Sequence, residues 1–207
     1  MGAELWQRTA TELAALIASG EASSREVVDA HLGRIDEVNG HCNAVVRVLA
    51  EEARAEADSA DAAMAAGDDL GPFHGVPFTV KENLDVAGTP TTQGLPVFAD
   101  LVAPTDAPIV ERMRSAGGIP IGRTNLPELG LRVSTDNPLH GLTRNPWHPG
   151  LCAGGSSGGE GSAIATGMSP LGLGNDIGGS VRNPAFCCGI TSLKPSHGRL
   201  PSFSVFE

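Results

Sequence analysis

A stretch rich in glycine and serine, from residue 154 to residue 189, constrains this chain more than any other feature. It contains 11 of the 27 glycines and two serine-bearing turns, residues 154–159 (GGSSGG) and residues 176–180 (DIGGS). Glycine doublets are expected where the backbone needs a positive φ, or where another group approaches the main chain closely. A serine in such a turn lies beside free backbone N–H groups, so the turn can supply a nucleophile and an oxyanion binder together.

Composition and charge exclude several classes of protein. The 207 residues carry a net charge of −10, and residues 1–70 contain 14 acidic and 5 basic side chains. Because no basic stripe is visible, we expect no direct contact with nucleic acid. No apolar run has the length of a membrane span and no signal peptide is visible, so we expect a cytoplasmic protein that does not bind membranes.

Cysteine and histidine spacing gives no indication of a metal site. The four cysteines lack CxxC spacing and are expected to be buried and reduced. The histidines of the loops also lack metal-ligand spacing, and we expect them to make ordinary polar contacts: His74, His140, His148 and His197. The sequence therefore predicts neither a metal nor a cofactor.

The pattern of short elements predicts an α/β fold. Capping boxes at Thr9 and Ser23 predict two helices, residues 51–66 predict a third, and Asp106 is expected to cap a fourth. A further helix is expected at residues 162–167, after the first serine turn. Apolar runs predict strands at residues 44–48, 78–80, 119–121, 170–173 and 190–193. Alternating strands and helices indicate a mixed, largely parallel sheet flanked by helices.

Three functions compete for the serine turns, beside the alternative that both are only tight connections. A phosphate cradle needs a Gly-Lys pair or a GxGxxG pattern, and the sequence has neither. Residues 154–158 match the GxSxG nucleophile elbow, but the segment before them has little strand character. The third function is a serine activated by a buried lysine, for which the chain offers Lys81 at a predicted strand end and Ser180 in the second turn. Only two of the 14 basic residues are lysines, and lysine, unlike arginine, can lose its proton when buried.

The chain resembles the amidase signature family over residues 5–200. The resemblance is carried by long motifs at residues 74–83 (HGVPFTVKEN), 124–128 (TNLPE), 143–147 (TRNPW), 154–159 (GGSSGG), 176–184 (DIGGSVRNP) and 189–195 (GITSLKP). It implies the fold of that family, incomplete here because family enzymes are generally more than twice this long. We accordingly expect residues 1–207 to be the N-terminal part of one amidase domain, with a helical region at 1–70 and a catalytic core at 71–207.

The resemblance also implies a Ser–cis-Ser–Lys triad. Ser180 matches the acylated nucleophile, Ser156 the serine preceded by a cis peptide bond, and Lys81 the base. The other matches are the oxyanion donors Ile177, Gly178 and Gly179, together with Ser180 N–H, and the residues that hold the turns, Ser157, Asp176 and Arg182. The implied activity is hydrolysis of a small-molecule carboxylic acid amide to the acid and ammonia or amine, through an acyl-enzyme.

Two alternatives stay open. One is the glutaminase-type subunit of a tRNA-dependent amidotransferase, although Glu160 resembles stand-alone amidases more. The other is an inactive fragment, because a missing second half would leave an apolar sheet edge exposed and the chain poorly soluble. For the full-length form we expect a homodimer.

Overall fold

The structure is a computed structural model that describes residues 4–68 and 70–201. It contains six α-helices and four strands within those ranges, in the order α1 (Ala10–Ser19), α2 (Ser24–Cys42), β1 (Val45–Val48), α3 (Ala50–Ala66), β2 (Pro77–Lys81), α4 (Pro108–Ser115), β3 (Ile119–Thr124), α5 (Gly158–Ala165), β4 (Gly172–Leu173) and α6 (Arg182–Cys188). Three short 3₁₀ turns lie at Leu5–Gln7, Pro96–Phe98 and Glu128–Gly130.

Residues at the helix ends correctly predict the positions of the three N-terminal helices. The hydroxyls of Thr9 and Ser23 accept hydrogen bonds from the third residue of α1 and α2, and both capping boxes are complete. The helix predicted at residues 51–66 is confirmed as α3, which ends at Gly67 in the left-handed region. These ends are predictable because the cap, the acidic partner and the final glycine lie within one turn of the helix end that they define.

Several predicted elements differ from the structure. Asp106 does not cap α4: Ala107 is the N-cap, and Asp106 instead accepts a hydrogen bond from Ala87 N–H and pairs with Arg114. The strand predicted at 170–173 shortens to two residues, and residues 190–193 are irregular, so that prediction is wrong. The helix that continues from the first serine turn begins at Gly158 and ends at Ala165, two residues before the predicted end, and α6 is not predicted by the sequence.

The sheet is mixed and largely parallel, as predicted. Its strand order is β1-β3-β2-β4, with β2 parallel to both β3 and β4 and β1 antiparallel to β3. In the central pairs, Lys81 lies opposite Thr124, and Thr79 lies opposite Gly172. All five residues of β2 are buried, which is typical of a strand covered on both faces.

Alternation along β2 decides which face carries the polar side chains. Phe78 and Val80 pack with Val110 of α4 in one apolar cluster. Because successive side chains of a strand point to opposite faces, Thr79 and Lys81 point to the other face, where α5 lies. The fold thereby directs Lys81 toward the helix that follows the first serine turn. None of the helices in the described ranges is both long and apolar enough to cross a bilayer.

Candidate active site

Lys81 is fully buried at the end of β2 and faces the first serine turn. Its ammonium nitrogen donates hydrogen bonds to Ser156 Oγ at 2.6 Å and to Asn175 Oδ1 at 2.7 Å. Burial lowers the pKa of Lys81 from 10.5 to about 7, against the opposing charges of Glu160 and Asp176. A large share of Lys81 is therefore neutral near pH 7 and able to accept a proton.

Ser156 lies in a turn that has no room for a side chain on the residue before it. The peptide bond between Gly155 and Ser156 is cis, and Ser156 itself is buried. Gly154 has a φ of +82°, and a Cβ at Gly155 would lie 2.4 Å from the carbonyl oxygen of Arg132. The glycine doublet thus lets the neighbouring backbone close over the turn that carries Ser156.

Two hydrogen bonds fasten the first serine turn, one to the second serine turn and one to α6, the helix that follows it. Ser157 N–H donates to the carbonyl oxygen of Ser180 at 3.0 Å, and Gly155 N–H donates to Asn183 Oδ1 at 3.0 Å. The main chain of Ser180 therefore lies beside the residue that follows Ser156. The structure brings the turns of Ser156 and Ser180 together, with Lys81 bonded to the first.

Asp176 organises the second serine turn. Its carboxylate accepts hydrogen bonds from the backbone N–H groups of Gly179 (2.7 Å), Val181 (3.0 Å) and Arg182 (3.2 Å). The Arg182 guanidinium binds both carboxylate oxygens, at 2.9 and 3.0 Å. That guanidinium, helped by the backbone N–H groups, holds the pKa of Asp176 well below its usual range, so the carboxylate stays ionised.

The expected oxyanion donors fall into two groups. Gly179 N–H is engaged by Asp176, whereas the N–H groups of Ile177, Gly178 and Ser180 have no acceptor among the residues that the structure describes. Ile177 and Gly178 are exposed and Ser180 is half-buried. Three N–H groups in a turn beside Ser156 therefore have no acceptor within the described part of the chain, an arrangement that suits an anion.

Some contacts were not expected from the sequence. Asn175, Asn183 and Glu160 all contact the predicted site. Ser157 was expected to hold the turns, and it does so through its main chain alone, because its buried hydroxyl has no partner within the described residues. One residue could have indicated the contact with Glu160 from the sequence. Thr79 lies two residues before Lys81, and hence its polar side chain is on the same face of β2.

The alternatives can be compared with the same geometry. No strand occurs in residues 145–157, all of which are described, so the GxSxG match lacks the strand that a nucleophile elbow requires. In the described ranges no three His, Cys, Asp or Glu side chains converge as metal ligands.

The cysteine prediction is wrong for two positions: Cys42 and Cys188 are buried, but Cys152 is exposed and Cys187 half-buried.

Residues 26–207 match the model of the Amidase family. The chain belongs to this family. Among its relatives, an indoleacetamide hydrolase of Bradyrhizobium diazoefficiens is 52% identical over 97% of this chain and 38% of its own length. A glutamyl-tRNA(Gln) amidotransferase subunit of Chromohalobacter salexigens is 43% identical over 96% of this chain and 40% of its own length.

Solved amidase structures contain the same architecture. A crystal structure described as an amidase superimposes with a TM-score of 0.86 and 35% identity, over 94% of this chain and 44% of that one. The chain spans about 40% of the length of the curated relatives named above. Its mixed sheet and flanking helices are those of part of the amidase fold.

Proposed function

We propose that this chain carries the catalytic residues of an amidohydrolase that cleaves a carboxylic acid amide to the acid and ammonia or amine. The observation that supports the proposal best is the buried Lys81 Nζ, 2.6 Å from Ser156 Oγ in a turn bonded to that of Ser180. The domain assignment made from the sequence, with residues 71–207 as the catalytic core of a longer amidase domain, belongs to the same proposal. So do a small-molecule substrate, a cytoplasmic location and homodimerisation of the full-length form.

In this mechanism Ser156 relays a proton between Ser180 and Lys81. Neutral Lys81 takes the proton of Ser156 Oγ, which in turn takes that of Ser180 Oγ as this oxygen attacks the amide carbon. The negative charge that develops on the carbonyl oxygen is stabilised by N–H groups of the second turn, and one such donor contributes about 3–4 kcal/mol in the transition state.

The C–N bond breaks as Ser156 passes a proton to the leaving nitrogen and regains one from Lys81. The product is ammonia or an amine and an ester on Ser180. Water then attacks this ester by the reverse relay, which releases the acid and restores the Ser180 hydroxyl. No step requires a metal or a cofactor.

A second candidate function is that of a glutaminase subunit in an amidotransferase. It is favoured by the 43% identity to an amidotransferase subunit over nearly the whole chain. The two candidates differ in substrate, because a glutaminase subunit is expected to prefer glutamine, whereas a stand-alone amidase is expected to hydrolyse other amides. A panel containing glutamine and indole-3-acetamide separates them.

The direct test is fluorophosphonate labelling of the purified chain, followed by peptide mapping. We expect the label on Ser180, and we expect it to disappear in Ser180→Ala and to fall at least about a hundredfold in rate in Lys81→Ala, because the base is gone. Lys194→Ala is the matched control, since Lys194 is exposed and bonds only to the carbonyl oxygen of Pro195 within the described residues.

The labelling result also separates the alternatives. A label on Ser156 or Ser157 would favour the nucleophile elbow, and labelling that survives Lys81→Ala would contradict the lysine base. A chain that takes up no label would be an inactive fragment.

A further inference from the structure

Glu160 contacts three neighbouring strands with one buried carboxyl group. Its Oε2 accepts a hydrogen bond from Thr79 Oγ1 at 2.6 Å, and its Oε1 accepts one from Thr124 Oγ1 at 2.8 Å. On β4, a Cβ at Gly172 would lie 1.9 Å from Oε2, so the missing side chain makes room for the carboxyl group. β2, β3 and β4 all meet at this point.

The contacts of Glu160 lie at the level of Lys81 in the sheet. Thr79 is two residues before Lys81 on the same face of β2, and Thr124 is the register partner of Lys81 on β3. Glu160 itself lies in the first turn of α5, four residues after Ser156. The carboxyl group accordingly joins the helix that follows Ser156 to the strand that ends in Lys81.

We propose that Glu160 is a positioning residue for Lys81 and Ser156, an inference that rests on the proposed amidase site. Its carboxyl group fastens the start of α5 to the three strands, and this sets the separation of Lys81 Nζ and Ser156 Oγ. A second consequence is electrostatic, since the carboxylate faces Lys81 from the helix side of the sheet.

The charge of Glu160 acts on Lys81 in a definite direction. A carboxylate near a buried ammonium favours the charged form, so Glu160 raises the pKa of Lys81 against the larger effect of burial. Burial also raises the pKa of Glu160 to about 7, while hydrogen bonds from Thr79 and Thr124 lower it. Replacing the carboxylate by a neutral amide consequently lowers the pH at which Lys81 loses its proton.

Other charged groups face this pair from the surrounding elements. Arg123 of β3 acts on Glu160, and Asp176, from the loop after β4, acts on Lys81. Asp176 is itself held by Arg182 of α6. None of these groups is changed by a substitution at Glu160, so they form a constant background for the experiment.

The test uses the fact that the chain has only two lysines, Lys81 and Lys194. Lysine labelled with ¹³C at Cε gives two signals, and Lys194→Ala assigns them. In Glu160→Gln we expect the titration midpoint of Lys81 to move to lower pH while that of Lys194 stays in place. We also expect fluorophosphonate labelling of Ser180, measured on the high-pH plateau, to slow about tenfold because the pair is misplaced.

Two threonine variants keep the test valid if Glu160→Gln does not fold. Thr79→Val and Thr124→Val each remove one hydrogen bond that favours the ionised form of Glu160, so each should lower the Lys81 midpoint in the same direction as Glu160→Gln, but by less. Thr143→Val is the control, because Thr143 is equally buried, and its hydroxyl donates to the carbonyl oxygen of Asn43 and accepts from Asn125 Nδ2, with no bond to Glu160 among the described residues.

The outcomes are distinguishable from those that test the amidase proposal. The Lys81 midpoint is read without catalysis, so an unsubstituted chain that takes no label overturns the proposed activity and leaves this measurement intact. An unchanged Lys81 midpoint in Glu160→Gln overturns the electrostatic effect of Glu160, and an unchanged labelling rate of Ser180 overturns its positioning role. A shift in Thr143→Val as large as that in Thr79→Val also overturns the electrostatic effect, because it would show a general effect of buried hydroxyl loss.

Discussion

At the scale of single residues, the burial of Lys81 has a cost in stability. Its hydrogen-bond partners are a hydroxyl and an amide oxygen, and within the described residues no carboxylate lies in hydrogen-bond distance of it. Because the folded chain holds Lys81 with a pKa of about 7 instead of 10.5, folding at pH 7 costs about 4 kcal/mol at this residue. A lysine that is neutral near pH 7, as the proposed mechanism requires of its base, is obtained at the expense of stability.

Replacing this lysine should therefore stabilise the chain. In Lys81→Met we expect the free energy of unfolding at pH 7 to rise by about 2 kcal/mol, after allowing for two lost hydrogen bonds. The sign follows from the lowered pKa: the cost is fully present below pH 7 and disappears as the pH rises toward 10.5. Urea unfolding at about pH 6, 8 and 9.5, below and between these two pKa values, measures it.

The control for this measurement is Lys194→Met. Lys194 is exposed, so its replacement should leave the free energy of unfolding nearly unchanged at every pH. A Lys81→Met chain that is less stable than the unsubstituted chain at the lowest of these pH values would contradict the assigned burial cost.

At the scale of elements, the sequence predicts what is decided locally. Thr9 and Ser23 start their helices through contacts three residues away, and both predictions are confirmed. Residues 170–173 and 190–193 have similar apolar runs, yet only two residues of the first run pair with β2. Pairing depends on which strand edge the folded chain offers, and a run of apolar residues does not contain that information.

The same distinction applies to the candidate site. Sequence motifs identify Lys81 and Ser156, because each motif consists of residues that are adjacent or nearly adjacent along the chain. The contacts of Asn175 and Glu160 with β2 join residues far apart in sequence, and nothing in their local pattern indicates them. Burial of Glu160 is likewise invisible in the sequence, since an acidic residue in the first turn of a helix is typical of an exposed helix.

Helix α5 is packed so closely against β3 that one methyl group should displace it. A Cβ at Gly159 would lie 2.4 Å from the backbone nitrogen of Asn125, so Gly159→Ala should lower the free energy of unfolding by about 3 kcal/mol. Gly33 in α2 is exposed, and a Cβ added there would have no described atom within 4 Å beyond its own stretch of helix, so Gly33→Ala should instead raise the free energy of unfolding by about 1 kcal/mol through helix propensity. Thermal unfolding of the two variants provides the comparison.

These two alanine variants add the same group to different helices. A stabilised Gly159→Ala chain would mean that α5 is free to shift away from β3. Labelling of Ser180 in Gly159→Ala should fall with the stability, because the residue lies between Ser156 and the end of β3, whereas Gly33→Ala should label normally.

At the scale of the whole molecule, the polypeptide after β4 presents large apolar side chains to solvent. Ile177 is 99% exposed, Phe186 of α6 is 88% exposed and Leu193 is 83% exposed. The sequence predicts an exposed apolar sheet edge, but β4 itself is short and half-buried, so the exposed apolar groups lie on the segment that follows the edge strand. Such groups favour association when they come together on one surface.

We expect the purified chain to self-associate in a concentration-dependent manner, through this segment. Phe186→Ser and Leu193→Ser together should shift the weight-average mass in sedimentation equilibrium toward that of the monomer, because each removes an apolar side chain that association would withdraw from water. Val97→Ser is the matched control: Val97 is 79% exposed but belongs to the 3₁₀ turn Pro96–Phe98, a different part of the chain. If Val97→Ser reduced association as much as the double variant, the effect would be one of general surface hydrophobicity and not of the segment after β4.

The two serine substitutions leave Lys81 and the serine turns unchanged, so labelling of Ser180 in the monomeric variant would also show whether association affects access to the site.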